Sequence, residues 1–168
     1  VLRFSSEENV SLELLKKGDI DFLGLRPEGF VKKTIGGVWE EKVVKVKTEN
    51  KTPKGYNFIA WNFKNPILKD REVRKALSML VNKPLMLEKF EYNLSEPATG
   101  PIYVQSDYAN HDIKPVPFDP NEALKLLNGA GWKDTDKNGI LDKVIGGKKT
   151  ELSITILDPS PDFMKYLT

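Results

Sequence analysis

An α/β fold is predicted, and three successions of helix and strand signals predict it. An amphipathic run, Ser11 to Lys17, closes on Gly18 and passes directly into the short apolar segment Asp19 to Leu25. A helix feeding a strand over so short a link is the α/β pattern. A bulky, aromatic strand signal, Tyr56 to Phe63, is followed by a helix with one apolar stripe. A capped helix, Asp119 to Ala130, leads through an Asp/Gly-rich turn to the alternating run Leu152 to Ile156.

Each element has a local reason. Gly18 tolerates the left-handed residue that ends a helix, and Gly24 to Gly29 then reads as a loop. Trp39 to Asn50 sets Val44 and Val46 against Lys45 and Lys47, the period of a half-exposed strand. Tyr56 to Phe63 is bulky on both faces and predicts a strand that is buried or lines a cleft. Asp70 can cap a helix whose stripe is Val73, Ala76, Leu77, Leu80 and Val81. Asn82-Lys83-Pro84 starts another helix, with proline tolerated in the first turn. Ser95 to Pro117 has no lasting period and predicts a long ordered loop. Asp119-Pro120-Asn121-Glu122 is a helix start, in which Asp119 accepts free amides and Pro120 fixes the first turn. Leu152, Ile154 and Ile156 alternate with Ser153 and Thr155 and predict a strand.

Composition excludes several classes of function. The 168 residues carry 26 basic and 24 acidic side chains, interspersed, for a net charge of +2. That balance lacks the clustered cations of a nucleic-acid or anionic-membrane partner. With no cysteine, disulfides and thiolate metal sites are excluded, and a single histidine, His111, excludes multi-histidine zinc chemistry. No apolar run reaches the roughly 20 residues of a membrane span. The chain starts at Val1 inside a strand-like run and stops at Thr168 as a helix signal begins, as a piece of a longer polypeptide would.

Candidate chemistry is sparse. Asp134-Thr135-Asp136-Lys137-Asn138-Gly139 mimics the first half of a calcium loop, but Ile145 stands at the twelfth position, where a bidentate glutamate is required. An Asp/Asn/Gly turn or hairpin is the expected reading, with no metal. Asp19 and Asp21 share a face without a nucleophile or an orienting group, so no catalysis is expected from them. His111, between Asn110 and Asp112, reads as a surface residue. Thr34-Ile35-Gly36-Gly37 lacks the lysine and spacing of a phosphate loop. Asn93-Leu94-Ser95 matches a glycosylation sequon, but so short a pattern arises by chance and is discounted.

The aromatics offer more. Alternation places Tyr56, Phe58, Ala60 and Asn62 on one face and Asn57, Ile59, Trp61 and Phe63 on the other. Either face can be core. A cleft that binds a small solute also needs rigid aromatic surface with a few polar groups.

Several segments, in order, resemble the bacterial extracellular solute-binding proteins of family 5, the oligopeptide, dipeptide and nickel class. Leu14-Leu15-Lys16-Lys17-Gly18-Asp19-Ile20-Asp21 is similar to that family's helix-Gly-acidic step. Tyr56 to Asn62 followed by Asp70-Arg71-Glu72-Val73-Arg74-Lys75-Ala76-Leu77 resembles its strand and "D-x-x-V-R-x-A-L" helix. Pro97-Ala98-Thr99-Gly100-Pro101-Ile102 resembles "P-A-x-G-P-I", and Phe118-Asp119-Pro120 through Ala130-Gly131-Trp132 resembles the later "A-G-W" helix. Asp134 to Asp142 resembles the Asp/Gly turn that follows it. Asn82-Lys83 replaces the usual "D-R/K", and Asn128 replaces an acidic residue, both outside the expected ligand site.

The resemblance implies a periplasmic-binding-protein-like α/β fold of type II, mixed sheets with flanking helices, with residues 1–54 in the first lobe and 55–168 in the second, neither complete. It implies a monomeric receptor outside the cytoplasmic membrane that closes on a small peptide and delivers it to the permease of an ABC importer. No enzyme activity, cofactor or metal is implied. Leu25, Arg26, Tyr56, Trp61 and Asn62 are the residues it points toward the cleft, most other contacts lying outside this sequence. Arg26 can pair with a peptide carboxylate in bidentate fashion, and a solvated loop arginine is the alternative. The same fold can serve a sensor ectodomain or bind another solute, such as a nickel chelate or a sugar. A hydrolase lacks a nucleophile, base and orienter set.

Overall fold

Helix α1, Glu8–Lys17, buries Ser11 and Leu12 and ends where Gly18 takes φ 79°. The Gly18 amide donates to the Leu15 carbonyl and the Asp19 amide to Leu14, the paired bonds of a Schellman stop. The computed structural model describes residues 6–48 and 55–157. Its chain packs as two units, Val1–Pro53 with Met86–Glu96, and Lys54–Leu85 with Pro97–Thr168.

In the first unit a single π-helical turn, Gly29–Lys33, follows the loop after α1. Gly29 lies against the Glu8 carboxylate, where a Cβ would meet Oε1 at 2.8 Å. Lys33 Nζ donates to Glu8 Oε1 at 3.0 Å and to Asn9 Oδ1 at 3.2 Å. The buried Thr34 hydroxyl donates to the Phe30 carbonyl at 2.9 Å, so its polarity is satisfied locally. A short helix, α2, Val38–Glu41, buries Trp39. The ammonium of Lys32 lies 5.1 Å from the centre of the Tyr92 ring and ties Met86–Glu96 to the π turn.

Two expected strands are absent from this unit. Asp19 to Leu25 forms no strand, and Phe22 is 87% exposed. An apolar run becomes a strand only when an edge pairs with its backbone, and none does so among the described residues. Trp39 to Asn50 starts as helix, and its described remainder forms no ladder. Val44, Lys45, Val46 and Lys47 are all exposed, so the alternation separates no buried face from an open one. Lys45 Nζ donates to the Phe30 and Thr34 carbonyls at 2.7 and 3.1 Å from the surface.

The second unit is built on helices α3, Arg71–Met79, and α5, Pro120–Gly129. Asn65 and Asp70 cap in succession. Asn65 Oδ1 accepts from the Ile67 amide at the start of a 3₁₀ turn, Pro66–Lys69, and Asp70 Oδ1 accepts from Glu72. Arg74 Nη1 donates to the Leu68 and Lys69 carbonyls at 2.8 and 2.7 Å, closing that turn, while its guanidinium lies 4.5 Å from the Phe63 ring centre. Asp119 caps α5 through the Glu122 amide, and its own amide donates to the Met79 carbonyl, which joins the two helices. Val73, Ala76, Met79, Ala123, Leu127 and Trp132 form the core with Ile67 and Leu68. Of the expected α3 stripe, Val73 and Ala76 are fully buried, Leu77 is half-buried, and Leu80 is 44% exposed; Met79 takes the inward place.

Helix α4, Lys83–Lys89, starts as expected, with Asn82 Oδ1 accepting from the Leu85 amide. The loop Ser95 to Pro117 holds only turns. Strands β1, Asp142–Ile145, and β2, Lys148–Glu151, pair antiparallel with Asp142 opposite Glu151 and Ile145 opposite Lys148. Gly146 and Gly147 both take positive φ, which a two-residue hairpin turn of this twist requires. The strand expected at Leu152 to Ile156 does not form among the described residues; β2 ends at Glu151, just before it. Leu152 and Ile154 still pack on the core, and the Leu152 amide donates to the Leu141 carbonyl. Tyr56 to Phe63 forms no strand among the described residues.

Candidate functional site

The five residues expected at a cleft fall into the two units, Leu25 and Arg26 in the first and Tyr56, Trp61 and Asn62 in the second. In the first unit Leu25 is half-buried and Arg26 is exposed. Arg26 lines an open cleft of about 420 Å³ with Glu7, Asn9, Leu23, Gly24 and Lys33. Its backbone carbonyl accepts from the Phe30 amide, while its guanidinium has no ion-pair partner among the described residues. Lys33 is already held by Glu8 and Asn9, which leaves Arg26 as the cation available to a carboxylate there.

In the second unit Tyr56 to Phe63 is irregular chain, in which Ile59 and Trp61 are half-buried while Asn57 and Phe63, on the same side of the alternation, are exposed. Trp61 packs against the α3–α5 core. Tyr56 and Phe58 are 44% and 68% exposed, with ring centres 5.5 Å apart. Asn62 is exposed, and its Oδ1 accepts from the Lys64 amide at 3.0 Å. Tyr56 and Asn62 are therefore open side chains, and Trp61 is the side chain of this segment that packs on the core. Phe58 belongs with them, and its place on their side of the alternation was the sequence signal for it.

The Asp/Gly-rich turn is organised from within. Asp134 accepts from the Asn138 and Gly139 amides at 3.1 and 3.0 Å. Asp142, only 4% exposed, accepts from the Thr135 amide and hydroxyl at 3.0 and 2.8 Å. Oxygens of Asp134, Asp136 and Asp142 lie within 4.8 Å of one another. Lys149 Nζ stands beside them, 2.5 Å from Asp136 Oδ2 and 3.4 Å from Asp142 Oδ2. The Lys149 hydrogen bond and charge hold the Asp136 carboxyl below the usual carboxylate range. Burial pushes Asp142 up, but the Thr135 bonds and the Lys149 charge outweigh it, and its carboxyl is lowered too. The Asp136 bond in turn raises Lys149. An ammonium so placed supplies the positive charge these carboxylates need. Sequence reasoning missed Lys149 and Thr135, although the Gly146-Gly147 turn sets Lys149 opposite Val144 in the hairpin.

Asp19, Asp21 and His111 are exposed, each in irregular chain.

Comparison with known proteins decides the family. Residues 1–167 match the family described as bacterial extracellular solute-binding proteins, family 5 middle. This chain belongs to that family. Among its family 5 relatives, the oligopeptide-binding protein AppA of Bacillus subtilis is 32% identical over 150 residues, covering 88% of this chain and 26% of that protein. A putative ABC transporter peptide-binding protein of Brucella ovis is 30% identical over 101 residues, 60% of this chain and 16% of the relative. The nickel-binding periplasmic protein of Escherichia coli is 37% identical over 73 residues, 40% of this chain and 14% of its own length. The solved structure of AppA in complex with a nonapeptide superposes with a TM-score of 0.57 at 29% identity, covering 84% of this chain and 27% of AppA. The fold is therefore a partial α/β fold of the periplasmic-binding-protein type. The chain spans about a quarter of the length of AppA. No helix among the described residues is long and apolar enough to cross a membrane.

Proposed function

We propose that this chain is part of an extracytoplasmic receptor that binds short peptides and delivers them to the permease of an ABC importer. The observation that carries the reading is the family 5 match over residues 1–167, joined to 32% identity with an oligopeptide-binding protein. The receptor acts as a monomer and is not an enzyme. Residues 1–54 contribute to its first lobe and 55–168 to its second, and the peptide favours the closed arrangement of the lobes through its differential contacts.

Within the chain, Tyr56 and Asn62, with Phe58, are the second-lobe groups for the ligand, since an exposed aromatic pair beside a polar amide suits a peptide's mixed surface. Leu25 and Arg26 are the first-lobe groups, Arg26 pairing with a carboxylate. Trp61 acts from behind, as the packed side of the same segment.

A second reading, a nickel chelate as cargo, draws on the 37% identity with the nickel-binding periplasmic protein over 73 residues. Calorimetry of the full-length protein against a peptide library separates the two. Binding of peptides at micromolar or tighter affinity is expected. Binding of nickel chelates, sugars or opines with none for peptides overturns the peptide assignment.

A further inference from the structure

The tripeptide Asn-x-Ser/Thr occurs three times, at Asn9-Val10-Ser11, Asn50-Lys51-Thr52 and Asn93-Leu94-Ser95. The first and third also carry a glutamate two residues before the asparagine, Glu7 and Glu91. Asn50 to Thr52 lie outside the described residues. The short pattern alone arises by chance, but the two described copies are held in opposite ways.

Asn9 stands in the first turn of α1, and its Oδ1 accepts from Lys33 Nζ at 3.2 Å. Ser11 is buried in that helix, its hydroxyl donating to the Glu7 carbonyl at 3.3 Å and its amide to the same atom at 3.1 Å. Asn9 is itself exposed and only its Oδ1 is bonded, so the helix is what withholds this copy: the backbone of the tripeptide is fixed in the first turn of α1 and the Ser11 hydroxyl is turned back onto the Glu7 carbonyl.

Asn93 is placed after α4 has ended. Tyr92 and Asn93 take φ of 50° and 56°, and the Asn93 amide donates to the Leu87 carbonyl, so the chain swings outward at this residue. The Leu94 amide donates to the Glu91 carbonyl at 2.8 Å, and Ser95 Oγ donates to Glu91 Oε2 at 2.9 Å. The glutamate and the serine thus stand together at the base of a turn with Asn93 at its tip. Asn93 and Ser95 are exposed, and the Asn93 side-chain amide makes no bond among the described residues. Behind the turn, Tyr92 is held by Lys32, so the loop has a fixed anchor and a free tip.

We infer that Asn93 is an acceptor of an N-linked oligosaccharide and that Asn9 is closed to the same reaction. Transfer to a sequon needs a surface loop whose asparagine amide reaches the donor. The donor class is a lipid-pyrophosphate-linked oligosaccharide. Asn93 Nδ2 bonds to the anomeric carbon as the bond from that carbon to the pyrophosphate oxygen breaks. The pyrophosphate leaves with the electron pair, and one amide proton passes to the transferase's base. In a cell the reaction also requires the extracytoplasmic placement proposed above; in a purified system it does not, so the two ideas can fail separately.

The test incubates the full-length protein, native and heat-denatured, with a purified oligosaccharyltransferase that reads acidic sequons and a synthetic lipid-pyrophosphate-linked oligosaccharide. Peptide mass spectrometry then locates the glycan. Native protein should carry it on the Asn93 peptide and not on the Asn9 peptide, while denatured protein carries it on both. Asn93→Gln and Ser95→Ala should each abolish it at Asn93 with the melting temperature unchanged. An unmodified Asn93 in native protein, or equal modification of Asn9 and Asn93 there, overturns the inference.

Discussion

The Lys149 ammonium lies 3.4 Å from the Asp142 carboxylate, a buried acid that also receives both polar groups of Thr135. The hairpin is therefore locked to the preceding turn by charge as well as by its ladder. Asp136 and Asp142 both have folded values below the ordinary 3.8. Their contribution to stability is present above that value and is lost as pH falls through the folded one. Lys149, raised above 10.5, contributes below that value and loses its contribution as pH rises through the folded one. Carboxyl titrations followed by NMR should place both aspartates below 3.8 in the wild type and move Asp142 upward in Lys149→Met. An unchanged Asp142 would contradict the ion pair.

Calcium should leave this turn unmoved, since Asp134 already accepts two amides and Lys149 stands beside the other two carboxylates. Melting temperatures with millimolar calcium and with chelator should agree. A rise with calcium would show that the cation displaces the ammonium.

Two glycines should respond in opposite directions. Gly18 has φ 79°, so Gly18→Ala puts an L side chain in the left-handed region and should cost about 1 kcal/mol. Gly129 ends α5 with open space where a Cβ would stand, so Gly129→Ala should stabilise by about 0.5–1 kcal/mol. Urea midpoints of the two variants give the comparison.

The caps of α3, α4 and α5 were legible in the sequence because their cause is local. Asp70, Asn82 and Asp119 each accept amides two or three residues ahead, which needs no knowledge of the rest of the chain. Helix α1, by contrast, starts at Glu8, three residues before the expected Ser11 and without a side-chain cap, and α2 was not expected. The strands expected at Asp19 to Leu25, Trp39 to Asn50 and Tyr56 to Phe63 do not form among the described residues, because a strand is defined by the edge that pairs with it and the sequence of one segment does not show that edge. Alternation marks two faces without saying whether either is covered; Val44 to Lys47 are exposed on both. The Lys149 pair escaped notice for the same reason, its partners being fixed by hairpin register.

The packing of Tyr56 to Phe63 gives a stability test and a binding test together. Trp61→Ala removes half-buried surface from the core and should cost about 2–3 kcal/mol in denaturant unfolding. Tyr56→Ala and Phe58→Ala should leave stability within about 0.5 kcal/mol. In the full-length protein each should weaken peptide binding by calorimetry, which Trp61→Ala should do only through unfolding. Large destabilisation by Tyr56→Ala would contradict the open position of Tyr56.

The most direct measurement of the receptor reading is native mass spectrometry of the full-length protein purified without refolding, followed by release and identification of whatever it carries. One ligand per protein molecule is expected, drawn from a mixture of short peptides. A nickel complex or a sugar as the sole bound species, with peptides failing to displace it, would contradict that.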